Sequence, residues 1–200
     1  MKKLTLENPI PMLAVSLLLA GCPSPIVYDY SKEPDPRQME FTIGVPDSLK
    51  ITVWKNPELS TEGRVRPDGT ITMPLIGDLQ AAGKTPSQLR QEISRRLSTY
   101  VRDESAVVSV AVTDVQSYHF TVAGNVEHPG LFNERTYVTI ADAIAKAGGI
   151  NKFGSPDKVT LVRTHGGKVR RIPIDYTAIQ AGTRPESNLV LLPGDTLIAE

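Results

Sequence analysis

The dipeptide Asp68-Gly69 sits between Val65 and the alternating pair Ile71 and Met73. Glycine accepts a positive φ and aspartate bonds back to its own turn, so the pair reverses the chain. The flanks, with Arg66 and Pro67 on one side, read as a hairpin of short strands. Pro74 carries no amide hydrogen, so the second strand ends there or lies at an edge. Leu75 and Ile76 are expected in the core, and Gly77 stops the run. Nothing in residues 65–78 is reactive, so this segment builds a shape and performs no chemistry.

The same alternation recurs. Leu49, Ile51 and Val53 share one side of residues 48–54, and residues 106–115 are rich in β-branched side chains. Between them residues 85–100 carry a helix signature: Thr85 as N-cap, Pro86 in the first turn, Gln88 completing a capping box. Leu89, Ile93 and Leu97 fall four apart on one face. Arg90, Arg95 and Arg96 fall elsewhere, either as a solvated surface or as a subunit contact. The expected first unit, residues 41–115, is a hairpin sheet covered by one helix, α+β in class. Asp47, in the corner Gly-Val-Pro-Asp, feeds its first strand.

A second unit is expected over residues 116–200. Residues 118–130 read as a strand through Gly124 and a turn ending at Pro129-Gly130. Residues 137–150 read as a short helix capped by Thr139, with Asp142 in its first turn and Gly148-Gly149 as its stop. Residues 158–174 form a hairpin with Gly166-Gly167 at the tip, and residues 188–200 close the chain as two short strands around Pro193-Gly194-Asp195. Strand, turn, strand, helix and hairpin is the order of a β-grasp domain.

The leader has a different character. Lys2 and Lys3 precede a mostly apolar run over residues 10–20, which is shorter than the roughly 20 residues a spanning helix needs and fits a secretory signal. It ends in Leu-Ala-Gly-Cys at residues 19–22, and Cys22 is the single cysteine. This resembles the lipobox of bacterial lipoproteins, which implies removal of residues 1–21 and acylation of Cys22. The other reading is a chance thiol beside an ordinary signal peptide. Residues 22–40, with Pro23, Pro25, Pro34 and Pro36 and no clear period, are expected to be an extended tether.

Composition and motifs narrow the function classes. The 22 basic and 22 acidic residues balance, with no block of either sign, which argues against a nucleic-acid partner. His119, His128 and His165 lack metal-ligand spacing, and neither a nucleophile elbow nor a glycine-rich phosphate loop is present. No catalytic residue, metal or cofactor is expected. Trp54, Tyr100 and Tyr118 could stack on sugar rings, although their positions favour burial in the core.

Together, the lipobox, residues 41–60, residues 65–89, residues 120–130 and residues 139–149 resemble, in order, the outer-membrane polysaccharide export (Wza-like) lipoprotein family. The resemblance implies a polysaccharide export domain followed by one soluble-ligand-binding β-grasp (SLBB) domain. It also implies that Asp47, Arg66, Pro67, Asp68, Gly69, Pro74, Gly77, Gly124, Pro129, Gly130, Gly148 and Gly149 serve architecture. In such proteins copies pack side by side into a ring whose lumen carries the glycan. The family corner is usually Gly-Pro-Gly-Asp, so Gly-Val-Pro-Asp at residues 44–47 is a departure. After Glu200 larger members continue into an amphipathic membrane helix, so this chain is expected to work with a separate outer-membrane β-barrel. Proline at position 23, where aspartate retains lipoproteins at the inner membrane, favours the outer membrane, with the body facing the periplasm. The partners implied are an exopolysaccharide or capsular polysaccharide, further copies of the chain as a ring homo-oligomer, and an inner-membrane polysaccharide co-polymerase. The alternative is a monomeric lipoprotein that binds a glycan or acts as an adaptor.

Overall fold

The computed structural model describes residues 28–101, 107–165 and 167–200, without the side chain of His165. Cys22, the leader and Gly166 at the hairpin tip lie outside them. The fold is α+β, with two hydrophobic cores.

In the first domain strands β1 (Ser48–Val53), β2 (Thr61–Arg64) and β5 (Val108–Asp114) form an antiparallel sheet in the order β2-β1-β5. A separate two-stranded sheet pairs β3 (Thr70–Met73) with β4 (Gly77–Gln80). Helix α1 (Pro86–Leu97) has the expected capping box and packs Leu89, Ile93 and Leu97 onto β5 and the shared core. Leu49, Ile51 and Val53 face it from β1, as the alternation requires.

The second domain is a five-stranded sheet of β6 (His119–Gly124), β7 (Gly130–Asn133), β8 (Val159–His165), β9 (Lys168–Ile174) and β10 (Thr196–Ala199). Their order is β7-β6-β10-β8-β9, with β10 parallel to β6 and every other pair antiparallel. Helix α2 (Ile140–Lys146) buries Ile140, Ala143 and Ile144 in a core shared with Phe120, Val122, Leu161 and Leu197. A further short helix, α3 (Tyr176–Gln180), is held by Asp175, whose carboxylate accepts from the Ala178 amide at 2.9 Å.

Thr139 and Asp142 form a reciprocal cap at the start of α2. The amide and hydroxyl of Thr139 both donate to the Asp142 carboxylate, which lowers its pKa below the usual carboxylate range. The folded-state pKa therefore lies below the unfolded one. This stabilisation is complete above the unfolded value, about 3.9, and is lost as pH falls through the folded value. Asp142→Ala is expected to cost about 1 kcal/mol at neutral pH. The gap between the two urea midpoints should close as the solution is acidified; a gap independent of pH would contradict the assignment.

Four expectations are corrected. Residues 28–40 are not an extended tether: they form two 3-10 turns, Tyr30–Lys32 and Pro36–Gln38, and the first docks against the second domain, with Tyr30 and Glu33 buried. Asp68-Gly69 does reverse the chain, but β3 pairs with β4 across residues 74–76 and not with the strand before the turn. Pro74 therefore opens a hairpin tip, and Leu75 at that tip is exposed, while Ile76 is only partly buried. Trp54 and Tyr100 also lie on the surface, whereas Tyr118 is fully buried. Finally, residues 188–192 form no strand; a single bridge joins Val190 to Thr139 before the turn into β10.

Candidate functional site

The residues singled out from the sequence fall in three places. The first is the joint between the domains. Asp47, fully buried, accepts four hydrogen bonds of 2.8 Å: from the amides of Gly44, Gln116 and Ser117, and from the Ser117 hydroxyl. One carboxylate thus ties the corner before β1 to the segment between β5 and β6. Contact there is close enough that a Cβ on Gly44 would lie 2.3 Å from the Ser117 Cβ. Beside this joint lies an open cleft lined by Pro46, Val115, Gln116, Asn133, Glu134 and Arg135.

The second place is the exposed face of the β3–β4 hairpin. Gly69, at φ 79°, closes the turn by donating to the Arg66 carbonyl at 2.8 Å, with Pro67 and Asp68 between them. The Asp68 carboxylate accepts from the amide and hydroxyl of Thr70, which lowers its pKa. Arg66 reaches Asp78 on β4 at 2.9 Å and the hydroxyls of Thr70 and Thr72. Asp78 is held in its charged form first by Thr72 and then by Arg66. Exposed pairs of this kind add little net stability, so their effect is to fix the hairpin's geometry. Gly77 sits opposite Met73 at the end of the hairpin ladder.

The third place joins two motifs distant in sequence. The amides of Glu127 and His128, just before Pro129 and Gly130, donate to the carbonyls of Gly149 and Ala147 at the end of α2. Gly148 lies against Glu127. Gly124 ends β6 at φ 85°, where a Cβ would lie 2.0 Å from the Ala199 carbonyl oxygen; only glycine fits. Tyr118 stands at the base of this domain. Its hydroxyl donates to the Leu191 carbonyl and accepts from the Val138 amide, and burial pushes its pKa up to about 12.

A fourth cluster was not anticipated. Arg163, 1% exposed, forks onto Asp195 (Nη2–Oδ2 2.7 Å, Nε–Oδ1 3.1 Å), reaches Glu33 at 3.0 Å and donates to the Val190 carbonyl at 2.9 Å. Glu33 also accepts from Arg170 at 2.8 Å and from the Tyr28 hydroxyl at 2.6 Å. Two arginines and two carboxylates leave this group formally neutral. A signal was present: Arg163 interrupts the inward stripe of Val159 and Leu161, and an arginine on a buried stripe requires carboxylates. The sequence alone did not say which ones.

His119 contacts the Ser117 carbonyl through Nδ1 and His128 lies in an exposed turn. Among the described residues no helix is long and apolar enough to cross a membrane.

Two family descriptions match the chain: polysaccharide biosynthesis/export protein over residues 35–113 and SLBB domain over residues 119–173. The chain belongs to the polysaccharide export family. Its relatives include the EPS I polysaccharide export outer membrane protein EpsA of Ralstonia nicotianae, 31% identical over 185 residues, which covers 80% of this chain and 47% of the relative. The capsule polysaccharide export protein BexD of Haemophilus influenzae is 27% identical, covering 78% of this chain and 42% of BexD. The polysialic acid transport protein KpsD of Escherichia coli is 25% identical, covering 80% and 28%. The chain thus spans less than half the length of these curated relatives. The family is one of export proteins, several of them named for the outer membrane.

Proposed function

We propose that this chain is a structural component of a capsule or exopolysaccharide secretion machine, held at the periplasmic face of the outer membrane by a lipid on Cys22. In this reading copies assemble side by side into a ring homo-oligomer, and the polymer passes through the lumen. The ring stands between an inner-membrane polysaccharide co-polymerase and a separate outer-membrane β-barrel. The lipid rests on the Leu-Ala-Gly-Cys motif, and acyl chains at about 0.8 kcal/mol per buried CH2 would anchor it firmly.

The observation that carries the reading is the joint at Asp47. A wall assembled from repeated two-domain units keeps its shape only if the angle within each unit is fixed. A carboxylate with four hydrogen-bond donors drawn from both sides of the boundary supports that rigidity. The structural residues in the hairpin and around α2 act in the same sense, as they hold turns and close approaches.

Deleting the gene is expected to stop surface display while synthesis continues, so that polymer accumulates inside the cell. Cys22→Ser should fail to restore display, and the mature wild-type protein should carry an acylated Cys22 by mass spectrometry. Normal surface polysaccharide in the deletion strain would overturn the proposal.

A further inference from the structure

We infer that copies of this chain join head to tail through the first domain, with the Leu75 hairpin tip of one copy seated in an apolar dimple beside Trp54 and Val107 of the next. This rests on the assembly proposed above and names the contact that would make it.

The dimple lies at one side of the three-stranded sheet. Trp54 and Val107 are 62% and 64% exposed, and the Trp54 amide donates to the Val107 carbonyl at 2.9 Å. Thr52 and Ser109 are the next cross-strand pair and complete the lining, with scarcely a polar atom turned inward. A pyranose placed there would find few partners for its hydroxyls, whereas an aliphatic side chain would lose nothing by entering. The strand beside the dimple points the same way. Alternation of bonding along β1–β5 turns the amides of Val108 and Val110 away from β1. Among the described residues these amides meet no backbone acceptor, and β5, rich in valine, is the outer strand of its sheet. Such an edge suits polypeptide backbone.

The complementary knob is on the same domain. Leu75 is 60% exposed at the tip between β3 and β4, with φ 63°. That backbone region is unfavourable for a non-glycine residue. The turn holds this leucine out in water, and a neighbour's pocket would cover the apolar surface that it exposes. The hairpin lies on the β2 side of β1, where the Thr61 hydroxyl donates to the Thr72 carbonyl at 3.5 Å, while β5 lies on the other side. Knob and dimple therefore lie on opposite flanks of β1 in one molecule. Contacts of that kind are heterologous and propagate, closing into a ring when the rotation allows.

Trp54 is the single tryptophan, so its fluorescence reports the dimple directly. The purified lipoprotein in mild detergent is followed across concentration by light scattering and by Trp54 emission. Wild type should show a blue shift of the emission that tracks assembly. Leu75→Asn removes the knob but keeps a residue at ease in the left-handed region. Val107→Glu alters the rim of the dimple. Each should raise the midpoint concentration for assembly by about tenfold or more while the circular dichroism spectrum stays unchanged. Three results would overturn the contact: assembly with Trp54 still in a water-like environment, both variants assembling as wild type does, or a blue shift in a monomer only after dextran fragments are added. A monomer at every concentration would remove the ring itself, and the contact with it.

Discussion

Replacing Asp195 with alanine is expected to destabilise the protein by about 3–5 kcal/mol, because it leaves buried positive charge without its principal partner. Arg163 has three contacts within 3.2 Å to this carboxylate, and Asp195 also accepts from the Leu192 amide at 2.7 Å. Without Asp195, Glu33 must balance both Arg163 and Arg170. The double variant Arg163→Met with Asp195→Ala should recover much of the loss, since Glu33 then keeps Arg170 and no lone charge remains inside. Urea midpoints of the two variants decide the matter. A single variant within about 1 kcal/mol of wild type would show that water reaches the cluster. The same cluster has a geometric consequence. It pins Glu33 to the second domain, so only the residues between Cys22 and Tyr28 remain to link an anchor to the body, a reach of about 20 Å at 3.3 Å per residue.

The second large effect is expected at Asp47. Asp47→Ala removes the acceptor for three backbone amides and one hydroxyl. Leaving a buried donor unpaired costs about 1–3 kcal/mol, so the sum should reach at least about 3 kcal/mol. Asp47→Asn should restore part of the loss, because its oxygen can still accept from the Gln116 and Ser117 amides while its NH2 group faces the Gly44 amide. The distinguishing readout is local. Hydrogen exchange at Gln116 and Ser117 should accelerate far more than in α1, and the distribution of distances between labels in the two domains should broaden. Uniform acceleration across both domains would mean that Asp47 supports global stability without governing the joint.

Short-range physics was legible in the sequence. Thr85-Pro86 and Thr139-Asp142 marked both caps, Gly148-Gly149 marked the stop of α2, and the period of Leu89, Ile93 and Leu97 marked a buried face. The misreadings came from long-range pairing. The turn at Asp68-Gly69 was visible, but which strand β3 would join depended on β4, beyond Pro74. Residues 28–40 resemble a linker in composition because their burial depends on Tyr30 and Glu33 finding Pro173, Arg163 and Arg170, more than 120 positions away. Hydrophobicity alone points Trp54 and Leu75 inward, yet both side chains lie on the surface. Asp47 was recognised as a corner residue, while its role as acceptor for Gln116 and Ser117 needed the fold.

The central claim is that this chain works as a wall built from copies of itself. Particle images of the purified full-length protein in mild detergent test it most directly. Closed rings with an open centre are the predicted result; uniform single copies at every concentration, from cells that export polysaccharide normally, would contradict it.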